Sequence, residues 1–125
     1  MVSKSKKLTT YGKELLLDLS ECDIKKFKKA SFKKFFVEVC DLIDMQREQL
    51  NFCNILDEKE KPNVIGITAI QFIMTSNITI HAYTSTGKAY VNIFSCKEFE
   101  EKDAIEFTKN WFGGKVLQSH VFARK

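Results

Sequence analysis

Apolar and polar side chains alternate along two neighbouring stretches of this chain. Ile78, Ile80 and Ala82 interleave with Thr79, His81 and Tyr83, and Val91 and Ile93 interleave with Tyr90, Asn92 and Phe94. A period of two sends successive side chains to opposite faces, so both stretches are predicted to be half-buried strands. Between them, Thr84-Ser85-Thr86-Gly87-Lys88 has the polar, glycine-containing composition of a hairpin loop. Pairing Tyr83 with Tyr90 sets His81 opposite Asn92, Thr79 opposite Phe94 and Asn77 opposite Cys96. Directly opposed residues share a face, so these side chains form a mixed polar and aromatic surface, with Cys96 beside the Ser76–Asn77 step. Ile78, Ile80, Ala82, Val91 and Ile93 form the apolar one.

The same reading extends to the rest of the chain. Leu15-Leu16-Leu17-Asp18-Leu19 marks a first strand within Tyr11–Cys22. From Ile24 the period changes: Phe32, Phe35, Phe36, Val39, Leu42 and Ile43 recur at helical spacing, with Asp23 or Ser31 as candidate N-caps. Gln46–Leu56 reads as a strand, residues 57–62 as a charged loop, and Val64–Met74 as another strand. Glu101–Phe112 is predicted helical and is stopped by Gly113-Gly114. Lys115–Ala123 closes the chain as a strand. The order β-α-β-β-β-β-α-β predicts an α+β fold: a two-layer sandwich with a mostly antiparallel sheet and two helices on its apolar face. The other face is neither fully polar nor covered, which points to a partner, most simply a second copy of the chain.

Length and charge narrow the function classes. The 125 residues fit a single domain, 1–125, with residues 1–10 expected to be flexible. No apolar run approaches the roughly 18–20 residues of a membrane span, and no signal-type segment follows the basic start. The expectation is a cytoplasmic protein with no membrane partner. Cys22, Cys40, Cys53 and Cys96 are scattered without a C-x-x-C pair, so they read as free thiols and no metal site is expected. Part of the +4 net charge sits in Lys25, Lys26, Lys28, Lys29, Lys33 and Lys34. That run reads as a solvated helix face rather than a nucleic-acid site, since arginines are not interleaved with it.

Ser76, His81 and Cys96 are the reactive side chains carried by the central hairpin, in a chain with only two histidines. They belong to an ordered set: Tyr11-Gly12-Lys13-Glu14-Leu15, Glu21-Cys22-Asp23, Gly66-Ile67-Thr68-Ala69, Ser76-Asn77-Ile78-Thr79-Ile80-His81, and Ala89-Tyr90-Val91-Asn92-Ile93-Phe94-Ser95-Cys96. In order and spacing the set resembles the prokaryotic S-adenosylmethionine decarboxylases, small self-processing pyruvoyl enzymes of polyamine (spermidine) synthesis. The resemblance implies the same α+β fold and a homodimer stacked sheet to sheet, with active sites between the sheets.

It also implies roles. Ser76 would attack the carbonyl of Thr75, and elimination would cut the chain into a β chain 1–75 and an α chain 76–125. The latter would carry a pyruvoyl group made from Ser76. That carbonyl takes up a substrate amine and acts as an electron sink when carbon dioxide leaves. His81 would assist processing as the base, Thr68 would stand where the family has a helper serine, and Cys96 would be the acid that protonates the product carbon. The sequence departs from the family at three places. Thr75 replaces a glutamate before the serine, Asn77 replaces a histidine after it, and Ala82-Tyr83-Thr84-Ser85 replaces a Trp-Pro-Glu segment whose carboxylate holds the substrate ribose. The implied substrate is S-adenosylmethionine. The alternatives are another amino acid such as arginine or ornithine, or a non-processing binding or regulatory subunit.

Overall fold

The structure, a computed structural model, describes residues 10–57, 59 and 63–125. The expected flexibility of residues 1–9 and most of the expected loop at 57–62 lie outside the described residues. Six strands form one sheet: β1 (Gly12–Ser20), β2 (Arg47–Asp57), β3 (Asn63–Ile73), β4 (Ser76–Tyr83), β5 (Lys88–Ser95) and β6 (Lys115–Arg124). Their spatial order is β2-β3-β4-β5-β1-β6, and every neighbouring pair is antiparallel. Two helices, α1 (Lys29–Leu42) and α2 (Glu101–Phe112), complete the expected α+β fold.

The alternation of apolar residues sets which face is covered. Leu15, Leu17 and Leu19 on β1, Ile67, Ala69 and Ile73 on β3, Ile78, Ile80 and Ala82 on β4, and Ala89, Val91 and Ile93 on β5 are all buried. Phe32, Phe35, Phe36 and Val39, three to four residues apart on α1, close over them from above. Phe112 from α2 packs edge-on against Phe32 at 5.7 Å and lies 5.1 Å from Phe35. Trp111 Nε1 donates to Ser31 Oγ at 3.1 Å, which ties the two helices together.

The helix ends differ in part from expectation. Asp23 caps a short 3-10 turn, Ile24–Lys26, by accepting from Lys25 N. Ser31 is buried under Trp111, and the N-cap of α1 is Lys28, which makes no side-chain capping bond. Gly113 stops α2 in the left-handed region at φ 64°, as a residue without Cβ can.

The central hairpin pairs two residues away from the expected register. Tyr83 faces Lys88, His81 faces Tyr90, Thr79 faces Asn92 and Asn77 faces Phe94. The cause is a tighter loop: Gly87 takes φ 71° and donates to Tyr83 O at 2.9 Å, which closes the turn over four residues. A slip of two preserves the faces, so the apolar set stays buried. It also moves Cys96 past the end of β5, where no strand residue opposes it. Cys22 and Cys40 are buried and burial pushes both thiols up to about 11, whereas Cys53 is exposed on the outer face, opposite Thr68. Strand β6 forms an edge of the sheet and is exposed on both faces.

Candidate active site

Ser76 begins β4, immediately after a two-residue turn. Ile73 pairs with Ser76, which leaves Met74 and Thr75 to reverse the chain. Thr75 takes φ 61° there. That position ordinarily calls for glycine or asparagine, and a β-branched side chain in the left-handed region costs about 1–3 kcal/mol. The bond between Thr75 and Ser76 therefore adjoins a strained residue.

Cys96 meets this turn from the other side. Its backbone N–H donates to Ser76 Oγ at 3.3 Å, and its Sγ lies 2.8 Å from Thr75 Oγ1. Two features hold it there. Ser95 Oγ is buried, donates to Lys97 O at 2.7 Å and accepts from Lys97 N at 2.9 Å, which bends the chain around Cys96. On the neighbouring strand, a Cβ on Gly12 would collide with Ser95 O and lie 2.7 Å from Cys96 Cα, so only glycine lets β1 approach.

A cleft of about 420 Å³ opens beside this cluster, lined by Glu48, Gln49, Phe72, Thr75, Ser76, Asn77 and Phe94. Sequence reasoning missed its far wall. The pairing of β2 with β3 shifts between Arg47 and Leu50, and the bulge brings Glu48 and Gln49 to the cleft. Gln71 holds that bulge from within the core: its Nε2 donates to Glu48 O at 3.0 Å and Gln49 O at 3.3 Å. A polar residue at an inward position between Ala69 and Ile73 is the sequence signal that could have found it.

Behind Cys96, Lys13 Nζ donates at 2.8 Å to both Glu98 and Glu101 and at 2.5 Å to Phe99 O. Burial alone would lower the Lys13 pKa, but the hydrogen bonds and charges of the two glutamates outweigh it and leave it raised. The Lys13 hydrogen bond likewise holds Glu101 below the usual carboxylate value.

Thr68 and His81 form a second cluster. They are cross-strand neighbours on the outer face, with Thr68 Oγ1 2.9 Å from His81 Nδ1. Tyr90 stands directly opposite His81 on β5. His81 lies five positions along the strand from Ser76, a span of about 16 Å. The two also point to opposite faces: Ser76 is buried and His81 is exposed. The reactive side chains of the central hairpin thus fall into two half-sites within one chain, Thr75–Ser76–Cys96 and Thr68–His81. Among the described residues no group of three His, Cys, Asp or Glu side chains could hold a metal ion, and no helix is long and apolar enough to cross a membrane.

One family model covers nearly the whole of this two-layer α+β domain. The sequence profile described as S-adenosylmethionine decarboxylase covers residues 13–125, and the chain belongs to that family. It is 27% identical over 85 residues to the S-adenosylmethionine decarboxylase proenzyme of Synechococcus sp. strain WH7803, a match covering 68% of this chain and 62% of that protein. It is 24% identical over 115 residues to the protein of the same name from Prochlorococcus marinus strain MIT 9313, covering 91% of this chain and 87% of the relative. The crystal structure of the adenosylmethionine decarboxylase from Aquifex aeolicus superposes with a TM-score of 0.74 at 17% identity, over 92% of this chain and 91% of that one. This likeness establishes the fold.

Proposed function

We propose that the chain is a self-processing, pyruvoyl-dependent decarboxylase, cut between Thr75 and Ser76, with S-adenosylmethionine as its substrate. The observation that carries this reading is the strained Thr75–Ser76 turn with Cys96 hydrogen-bonded to both residues. The fold also tolerates the cut. Strands β3 and β4 stay laddered from Ile73–Ser76 to Gly66–Tyr83, and β1 of the first fragment lies between β5 and β6 of the second.

A pyruvoyl group fits the residues present, because Ser76 supplies its atoms and opens onto a cleft. Such a group supplies an electrophilic carbonyl that draws electrons from the substrate's α-carbon as carbon dioxide leaves. The chain's own residues do the rest. Ser76 Oγ attacks the Thr75 carbonyl. Cys96 Sγ holds the proton that returns to the substrate carbon. Phe72 and Phe94 wall the cleft with aromatic surface, and Glu48 offers it a carboxylate for hydroxyl or cationic groups of the substrate. That carboxylate bears on substrate choice, since the hairpin segment Ala82–Ser85 has none.

His81 and Thr68 enter through a second copy of the chain. The cleft is lined by the outer-face residues Phe72, Asn77 and Phe94, so it opens toward a sheet stacked on that face. A twofold axis between two such sheets, passing over β4 near Thr79, brings His81 of the partner subunit to the outer face at the Ser76 end of the strand. The outer face is suited to this contact, with Phe72, Tyr90 and Phe122 exposed on it.

Carbon dioxide release from purified protein tests the assignment. Release from S-adenosylmethionine, and not from arginine or ornithine, is the expected result. Release from either amino acid alone would transfer the activity to that substrate, and release from none would remove it.

A further inference from the structure

The Thr75 hydroxyl has a single proton, and its placement fixes the direction of the contact with Cys96. Thr75 Oγ1 donates that proton to Met74 O at 2.6 Å. Toward Cys96 Sγ, 2.8 Å away, the oxygen can then only accept, so the thiol is the donor. In the uncut chain, the proton assigned to the decarboxylation step points at the turn rather than at the cleft. The residue that accepts it is also the strained one.

We propose that Thr75 is a positioning residue that couples self-cleavage to the release of Cys96: its backbone strain favours the cut, and its hydroxyl occupies the thiol until the cut is made. The proposal rests on the self-processing reading above. In the first step Ser76 Oγ bonds to the Thr75 carbonyl carbon, the Thr75–Ser76 C–N bond breaks, and the hydroxyl proton ends on the freed nitrogen. Elimination then passes the Ser76 Cα proton to a base, breaks the Cβ–Oγ bond and leaves Thr75 as a carboxylate. Water finally displaces the nitrogen of the dehydroalanine as ammonia. At the end Thr75 is a chain terminus. Its φ is no longer dictated by the turn, so it can leave the left-handed region and take its hydroxyl with it.

Two features make this assignment specific. Asparagine or glycine at position 75 would satisfy the turn without strain. Serine would keep the oxygen but not the β-branch. Threonine combines the two properties, a backbone that gains by being cut and an acceptor within reach of the sulfur.

The contact is tested in the Ser76→Ala chain, which has no nucleophile and stays intact. Alkylation of Cys96 by iodoacetamide is followed by peptide mass mapping, which separates it from the exposed Cys53. Adding Thr75→Val removes the acceptor oxygen while keeping the branch, and the Cys96 rate should rise roughly tenfold, as expected for one lost hydrogen bond. Adding Thr75→Ser should leave it slow. Equal rates with threonine and valine would overturn the contact. If the valine chain does not fold, Thr75→Ala removes the same oxygen and must give the same rise.

The strain is tested with Ser76 in place. Thr75→Gly should slow the appearance of cut chain roughly tenfold, because glycine tolerates the positive φ without cost. Cutting at the parent rate or faster would overturn the role of strain. A parent chain that cuts, with Cys96 no more reactive afterwards than before, would remove the coupling alone. A parent chain that never cuts would remove the self-processing reading and the coupling with it.

Discussion

Cys96 is confined by backbone on one side and by a buried serine on the other, so its position tolerates little change. Gly12→Ala would drive a methyl group into Ser95 O and the Cys96 Cα. An overpacked core site of this kind costs typically about 1–3 kcal/mol, which thermal unfolding would register. Cys96→Ala, by contrast, should leave stability and cutting in place and lower turnover by about 10²–10⁴, the range of a lost general acid. Turnover at the parent rate would take Cys96 out of that role. Ser76 and Cys96 could be singled out in the sequence because their order and spacing resemble those of a family. The strain at Thr75 could not, because it depends on a two-residue turn whose length is set only when β3 and β4 pair from Ile73–Ser76. Gln71 was hidden for a similar reason: its task, holding the Glu48–Gln49 bulge, exists only in three dimensions. Gln71→Leu would leave the two bulge carbonyls without that donor, at about 1–3 kcal/mol. An unchanged melting temperature would contradict the assignment.

Among the elements, β1 and α2 are joined by charge as well as by packing. Lys13 reaches from the first strand to Glu101 in the first turn of α2, where a carboxylate also meets the positive end of the helix dipole. The folded pKa of Glu101 is held below its ordinary 4.5. Its contribution to stability is therefore fully present above that value and is lost as the pH falls through the lower folded value. Lys13→Met should remove that part of the acid-side dependence, and parallel stability–pH curves for parent and variant would show that the pair does not act in this way. The helices and strands themselves were legible from period alone: α2 runs over Glu101–Phe112 as predicted, with its stop at Gly113. The hairpin register was not, since a four-residue and a longer loop present the same alternation. Only the Gly87–Tyr83 hydrogen bond decides between them.

At the scale of the whole molecule, one chain holds two separate half-sites, and under the proposed function a second copy of the chain completes them. Mixing two defective chains tests this directly. A His81→Ala chain keeps Ser76, and a Ser76→Ala chain keeps His81. If His81 of the partner subunit serves the cut, co-expression should cleave the His81→Ala chain, which stays intact when expressed alone. Failure of the mixture to cut would place the two residues in one chain's chemistry or in none. The layered fold was readable from the order of elements, but the separation of Ser76 from His81 follows from strand geometry, in which five residues mean about 16 Å and a change of face. Whether Ser76 is the point at which this chain cuts itself is read from the intact mass of the purified protein. Two species are expected, one ending at Thr75 and one beginning with a pyruvoyl group at position 76. A single uncut species with serine at position 76 after long incubation would contradict self-cleavage there.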